Sequence, residues 1–539
     1  MNSRAKERII NFSWWLGIIA TGLVLYRPFC TFQLHLAQGD HGNNLYVFRR
    51  TMQGAVPYRD YWWVYGPLMP YFYAAWFAAL GVTIRTILIA YHFLEVLSGF
   101  FFYAAFKQAF PRYLAFTAAV YYWICVSPFE HTYNHVGAVL MSVGALYALL
   151  AYWRTGRVAG LYGGLLFLFI ASLIKLNMGL ALLLAYVTCV VLIDRIKEEL
   201  PAPQGPVAAD KKRFYAAAVL AFLAVGAVYY AFLHGLPDYV IKQSLLSPET
   251  DPNRTTVWLD LKTFVNYHRE SLVRMGVTTF HPLWWVLFGY TLFLILAKRI
   301  SAGLWRIFKH WTLILAVLSA FALHEFWLSG VAYRIYWISA FQIFWMWLVM
   351  GIALLHMPRW GRVLTCALLL SATLGMHATR IFQVGIFQLD FPLQRAQITT
   401  SNSQLWLKTV TQVTEFLKAN LREDETFLAL PSEQLYYFLT DKNAPTRQTE
   451  FGVQLVPQQE DEMIQAMEKG RVKYVLISNH FKNPETGMGA FGFTYGERVA
   501  DYIAKHYVPV AVGGSWDDVP EWVEKHGVLI VERVPDYVQ

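Results

Sequence analysis

Charge is what this chain has least of. Of its 539 residues only 15% are charged, where an ordinary soluble domain carries about 25%. Meanwhile 56% are hydrophobic and the mean hydropathy is +0.35. Scarce charge excludes a soluble globular chain, and the apolar runs that recur from residue 12 to residue 380 identify a polytopic helical membrane protein. Cysteine is scarce too. Cys30, Cys125, Cys189 and Cys366 lie in or at the ends of apolar runs without metal-like spacing, so they read as buried small apolar residues. There is no internal repeat and no low-complexity tract. No small-residue cleavage motif follows the first apolar run, although Arg4, Lys6 and Arg8 precede it, which makes it a retained anchor. The net charge of +9 sets orientation in such a chain and gives no reason to expect nucleic acid.

What is present is a ladder of candidate spans: 12–30, 85–106, 113–127, 136–153, 158–174, 176–193, 214–233, 281–297, 311–328, 335–356 and 361–380, eleven in all. The segment 66–82, GPLMPYFYAAWFAALGV, is apolar enough to be a twelfth. Loop charge decides against it. If it does not cross, Lys107/Arg112, Arg154/Arg157, the basic loop after 193, Lys298/Arg299/Arg306/Lys309 and Arg359/Arg362 all share the cytoplasmic side with the N-terminus. Pro67, Pro70 and the crowded Tyr and Trp also suit a helix lying at the interface. The external segments are then 31–84, 128–135, a short turn near Lys175, 234–280, 329–334 and the C-terminal tail.

The tail is charged and alternates helix and strand patterns. Helical LWLKTVTQVTEFLKANL precedes the strand TFLAL, and SEQLYYFL starts a helix. EDEMIQAMEKG leads to VKYVLIS, GERVADYIAKHY leads to VPVAVGG, and VLIVERV closes the chain. This predicts a small α/β domain over 381–539, following a membrane domain over 1–380. No glycine-rich phosphate fingerprint sits at a strand-to-helix turn, which argues against a nucleotide site there.

Candidate chemistry gathers on the external side. Asp40, in QGDHGNN, is flanked by Gly39 and Gly42; it reads as an Asx turn or cap opening a helix, or as a general base toward an acceptor hydroxyl. VPYRDYWWVYGPLMP offers Arg59 and Asp60 among aromatics: either a phosphate-binding cation with sugar-stacking rings, or an interfacial aromatic belt with a local Arg–Asp pair. SPFEHTYNH carries Glu130, His131 and His135, a polar cavity wall or an incomplete divalent-metal site. Lys175, beside Asn177 in SLIKLNMG, either snorkels or binds an anion. Arg334 can meet a lipid phosphate or pair with Glu325.

Across GDHGNNLYVFRRTMQGAVPYRDYWWVYGPLMPYFYA the chain resembles the first external loop of the GT-C-fold glycosyltransferases. These are the bacterial relatives of dolichyl-phosphate-mannose–protein mannosyltransferase and of the aminoarabinose transferase for lipid A. The shared pattern is an acidic residue after Gly, a helix ending in Gly, PYRD, and a proline-led interfacial helix. The family's catalytic carboxylate matches Asp40. The second position of its acidic pair, often Glu, is His41 here. The resemblance implies a GT-C-type bundle of about eleven spans with an extracytoplasmic α/β domain, and an inverting transfer from a polyprenyl-phosphate-sugar to an extracytoplasmic glycan, lipid or protein. It implies Asp40 as base, with His41, Arg59, Asp60, Glu130, His131, His135, Lys175 and Arg334 around the substrate. No cofactor is expected, and a divalent metal is not favoured. The expected location is the inner (plasma) membrane, in contact with its lipids. The competing reading is a transporter or lipid flippase with an accessory external domain.

Overall fold

The structure is a computed structural model that describes residues 3–27, 40–125, 133–196, 208–245, 281–323, 338–386, 404–449, 456–469, 472–479, 491–516 and 527–534. In chain order the helices are α1 (Ser3–Tyr26), α2 (Asp40–Met52), α3 (Leu68–Leu80), α4 (Ile84–Phe106), α5 (Arg112–Cys125), α6 (His135–Thr155) and α7 (Val158–Ile174). They continue with α8 (Leu176–Ile196), α9 (Ala208–Leu233), α10 (Asp238–Leu245), α11 (His281–Leu296), α12 (Ala302–Ala322), α13 (Ser339–His356) and α14 (Arg359–Ile386). Eight of the described helices are long and apolar enough to cross a membrane, and the protein is a multi-pass membrane protein.

Each candidate span coincides with a helix, but α12 starts at Ala302 instead of 311. Trp305, Arg306, Lys309 and His310 dilute the apolar signal of its first turns. The start is set by Ser301, whose side chain accepts the Leu304 N–H at 3.4 Å. Helix α3 has 13 residues, about 20 Å of rise, which falls short of a hydrocarbon core of about 30 Å. It stops at Gly81, whose φ of 89° is open to glycine at no steric cost.

The chain divides into two compact units: Met1–Pro28, Tyr91–Val228 and Thr256–Phe382; and Phe29–Ala90, Tyr229–Thr255 and Gln383–Gln539. The second unit therefore gathers residues 29–90 and 229–255 with the tail.

In the first unit aromatic rings fill the core. Phe106 stacks on Phe110 at 4.4 Å, and Trp311 packs on Phe344 at 5.6 Å. Small residues let helices approach: a Cβ on Gly179 would collide with the backbone of Ser172. Helix α9 leaves Val219, Leu220, Phe222 and Leu223 exposed, an apolar face suited to lipid. Cys189 and Cys366 are free and buried.

The second unit holds a four-stranded mixed sheet of β1 (Thr426–Leu430), β2 (Val472–Ser478), β3 (Tyr507–Gly514) and β4 (Gly527–Arg533), in the order β1-β2-β4-β3. β1 runs parallel to β2, and β4 runs antiparallel to both β2 and β3. The helices around it are α15 (Gln404–Asn420), α16 (Leu435–Thr440), α17 (Pro457–Lys469) and α18 (Glu497–His506). The parallel β1–β2 pair demands a crossover, which the stretch containing α16 and α17 supplies. Leu428, Met463, Val475, Val499 and Ile503 form the core beneath the sheet. Helix α10, itself part of this unit, is tied to α17 through Gln243, whose amide exchanges hydrogen bonds of 2.9 and 3.0 Å with that of Gln459.

Candidate active site

Asp40 is the first residue of α2. The side chains of Asp40 and His41 lie outside the described residues. From Gly42 onward nearly every position of α2 is buried, including Asn43 and Asn44. Phe48 stacks on Tyr73 of α3 at 4.5 Å and 15°. The Thr51 hydroxyl meets the Tyr61 hydroxyl at 2.6 Å. Helix α2 thus has few free degrees of motion: α3 holds one side and the following turn holds its end.

That turn is built by Asp60. Its Oδ2 accepts the Val56 N–H at 2.7 Å, while its own N–H donates to the Val56 carbonyl at 3.0 Å. The same carboxylate takes two bonds from Arg59, at 2.9 and 2.8 Å. The Arg59 bond holds the carboxyl below the usual carboxylate range, partial burial opposes it, and the Val56 N–H adds to it. Of the two readings left open by the sequence, the local Arg–Asp pair is the one the geometry displays, with the guanidinium still 59% exposed.

The aromatic crowd behaves differently from an interfacial belt. Tyr58, Tyr61, Trp62 and Trp63 are buried, and Tyr58 donates to the Tyr65 carbonyl at 2.5 Å from a left-handed backbone with φ of 68°. Burial pushes the Tyr58 and Tyr61 hydroxyls well up. Trp63 packs edge-on against Phe48 and Tyr65 and Tyr58 against Phe232, while Tyr71 is 41% exposed.

Lys175 and His135 belong to the first unit. Lys175 is the single residue between α7 and α8, extended at φ −145° and ψ 104°, with its N–H donating to the Ala171 carbonyl at 2.8 Å. It sits buried at the tip of a helical hairpin. His135 opens α6 and is buried. Glu130, His131 and Arg334 lie outside the described residues. Among the described residues no three His, Cys, Asp or Glu gather as a metal site. So of the predicted set, the structure joins Arg59 to Asp60, places the start of α2 in the same unit, and holds His135 and Lys175 in the other.

Two features escaped the sequence reading. One is Arg49, wholly buried and bonded to the C-terminal domain. The other is a buried pair inside α4: His92 Nδ1 lies 2.7 Å from Glu95 Oε2, with Tyr26 stacked on the imidazole at 5.0 Å. A carboxylate three residues after a histidine inside an apolar span is a readable signal for such a pair. An apolar cavity between Trp153, Cys189, His310 and Ile314 holds none of the predicted site residues.

No family model and no curated protein matches the sequence. Solved structures do match. The apo structure of ArnT from Cupriavidus metallidurans superposes with a TM-score of 0.56 at 12% identity, covering 97% of this chain and 98% of that one. The same protein bound to undecaprenyl phosphate gives 0.54 at 12% identity, covering 96% and 98%. The apo Archaeoglobus fulgidus oligosaccharyltransferase gives 0.48 at 12% identity, covering 96% and 76%. The fold is the GT-C fold. Near-complete coverage of both ArnT chains means that the GT-C likeness takes in the membrane helices and the tail together.

Proposed function

We propose that this chain is a membrane glycosyltransferase that moves a sugar from a polyprenyl-phosphate-linked donor to an extracytoplasmic acceptor hydroxyl, with inversion. The observation that carries this reading is the end-to-end likeness to ArnT bound to undecaprenyl phosphate. The loop that opens at Asp40 and carries PYRD supports it independently.

In this mechanism Asp40 takes the proton of the acceptor hydroxyl. The acceptor oxygen forms a new bond to the anomeric carbon from the face opposite the phosphate. The carbon–oxygen bond to the phosphate breaks, and the polyprenyl phosphate leaves with the electron pair. Negative charge grows on that phosphate, so cations near it lower the barrier. Arg59, exposed and holding one carboxylate, is suited to this role, and Lys175 and Arg334 are the other cations the sequence offers for it. His41, Asp60, Glu130, His131 and His135 are the remaining candidates for contact with substrate. The chemistry needs no redox or group-carrying cofactor, and we favour a metal-independent enzyme. The orientation that goes with this reading puts the N-terminus in the cytoplasm and the tail outside the inner membrane. The acceptor is a glycan, a lipid or a protein.

The second reading, a transporter or flippase, draws on the His92–Glu95 pair, because ionisable groups buried in spans recur along transport paths. Purified full-length protein in lipid nanodiscs, offered a panel of polyprenyl-phosphate-sugars, separates the two. Transfer is expected, and Asp40→Asn should lower it by roughly 10²–10⁴-fold, the usual contribution of a positioned base. Undiminished transfer in that variant would remove Asp40 from the mechanism. Measured lipid flux without transfer from any donor would favour the transporter.

A further inference from the structure

Arg49 lies on α2, yet its partners are almost 400 positions away in sequence. Nη1 donates to the Tyr437 carbonyl at 3.0 Å and to Asp441 Oδ1 at 2.7 Å. Nη2 donates to Asn443 Oδ1 at 2.9 Å and to the Lys442 carbonyl. The guanidinium also lies over the Tyr46 ring, 5.8 Å from its centroid, and the Tyr46 hydroxyl accepts the Ala444 N–H at 3.0 Å. Farther along, the Trp62 N–H donates to the Arg447 carbonyl at 2.9 Å. All of these residues belong to one compact unit. The acceptors converge because Asp441 ends α16 in the left-handed region, at φ 61°, a conformation Asp tolerates better than most residues.

We propose that segment 437–447 is a clasp that positions α2, and through it Asp40, so that the C-terminal domain is a working part of the transferase and Arg49, Asp441 and Asn443 are positioning residues. The catalytic half of this inference rests on the transferase reading above; the clasp itself does not. Three physical points favour positioning over plain stabilisation. The carboxylate of the Arg49–Asp441 pair is half exposed, so the pair by itself adds little to stability, whereas acceptors on four residues hold the buried guanidinium in one geometry. Arginine's planar fork fixes direction, which a lysine ammonium does not. Finally, Asp40 lies nine positions from Arg49 on one helix, a rise of about 14 Å. A tilt of about 4° at the clasp then moves Asp40 by about 1 Å, and a misplacement of that size can cost a reaction roughly a hundredfold.

The test uses the full chain in nanodiscs and three variants: Arg49→Gln, Arg49→Lys and the milder Asn443→Ala, which removes one bond and leaves the other three. Hydrogen exchange reads the amides of 43–52, and steady-state kinetics reads kcat and donor KM. For Arg49→Gln and Asn443→Ala we expect faster exchange in α2 and a kcat at least tenfold lower, with donor KM within twofold. Arg49→Lys should fall between these and the parent. Unchanged α2 protection in both Arg49→Gln and Asn443→Ala overturns the clasp. Faster exchange with unchanged kcat, or a loss confined to KM, overturns the positioning role. If the parent protein transfers from no donor, the transferase reading falls and takes the positioning role with it, while the exchange measurement still decides the clasp.

Discussion

Arg49 and Arg59 belong to one loop and meet opposite fates. Arg49 is 1% exposed and shares its guanidinium among acceptors from a distant part of the chain. Arg59 is 59% exposed and holds the carboxylate next to it in sequence. The difference shows how a chain poor in charge uses a cation in two ways. Buried, an arginine is tolerated only where its donors are met, and once met they define a geometry. At the surface the same group forms a screened pair that adds little to stability, but it remains free to meet a phosphate.

The comparison is broken most directly by removing the buried member. Arg49→Met leaves the buried Tyr437 carbonyl without its guanidinium partner. A buried acceptor so stranded costs roughly 1–3 kcal/mol, so the second unit should lose about 2 kcal/mol in denaturant unfolding of the detergent-solubilised protein. Asp441→Asn keeps a neutral acceptor on a half-exposed side chain and should cost about 1 kcal/mol. Equal losses from the two variants would mean that the carboxylate, and not the full set of acceptors, holds the helix.

Arg59→Met should leave unfolding unchanged and act on substrate instead. If Arg59 meets the donor phosphate, donor KM should rise by roughly tenfold, the scale of one charge-assisted contact. The fall of kcat/KM with added salt should also become shallower, because an exposed cation is screened within about 10 Å at 0.1 M salt. A variant that destabilises the fold as Arg49→Met does, while leaving KM alone, would erase the contrast between the two arginines.

Much of the architecture was readable in the sequence, and the reasons are local. Apolar runs of span length named the membrane helices, and TFLAL and VKYVLIS named β1 and β2 to the residue. The start of α12 was not readable from hydropathy, because Arg306, Lys309 and His310 interrupt the apolar run soon after its cap residue Ser301. The Tyr and Trp cluster did not reveal its burial in the sequence. Rings that meet lipid and rings buried within the fold, as Tyr58, Tyr61 and Trp63 are, leave the same composition. Arg49 was beyond local reading altogether. Nothing near it in sequence indicates that Tyr437 and Asn443 will supply its acceptors.

The smallest expected effect concerns the Arg59–Asp60 pair and its pH dependence. The Arg59 hydrogen bond holds the Asp60 carboxyl below the usual carboxylate range. A group with a depressed folded value stabilises above its unfolded value, about 3.9 for Asp, and that contribution is lost as pH falls through the folded value. The turn from Val56 to Asp60 should therefore be equally protected at pH 7 and pH 5, and loosen only in acid below about pH 4. Hydrogen exchange at the Asp60 amide, corrected for its intrinsic pH dependence, reads this directly, since that N–H donates to the Val56 carbonyl across the turn. Asp60→Asn keeps an acceptor for the Val56 N–H but gives up the charge, so its exchange at pH 7 should match that of the parent in acid. Loosening of the parent turn already between pH 7 and pH 5 would mean that a group other than Asp60 governs it. The surface arginine would then be held by something beyond its neighbouring carboxylate, and its contrast with Arg49 would narrow.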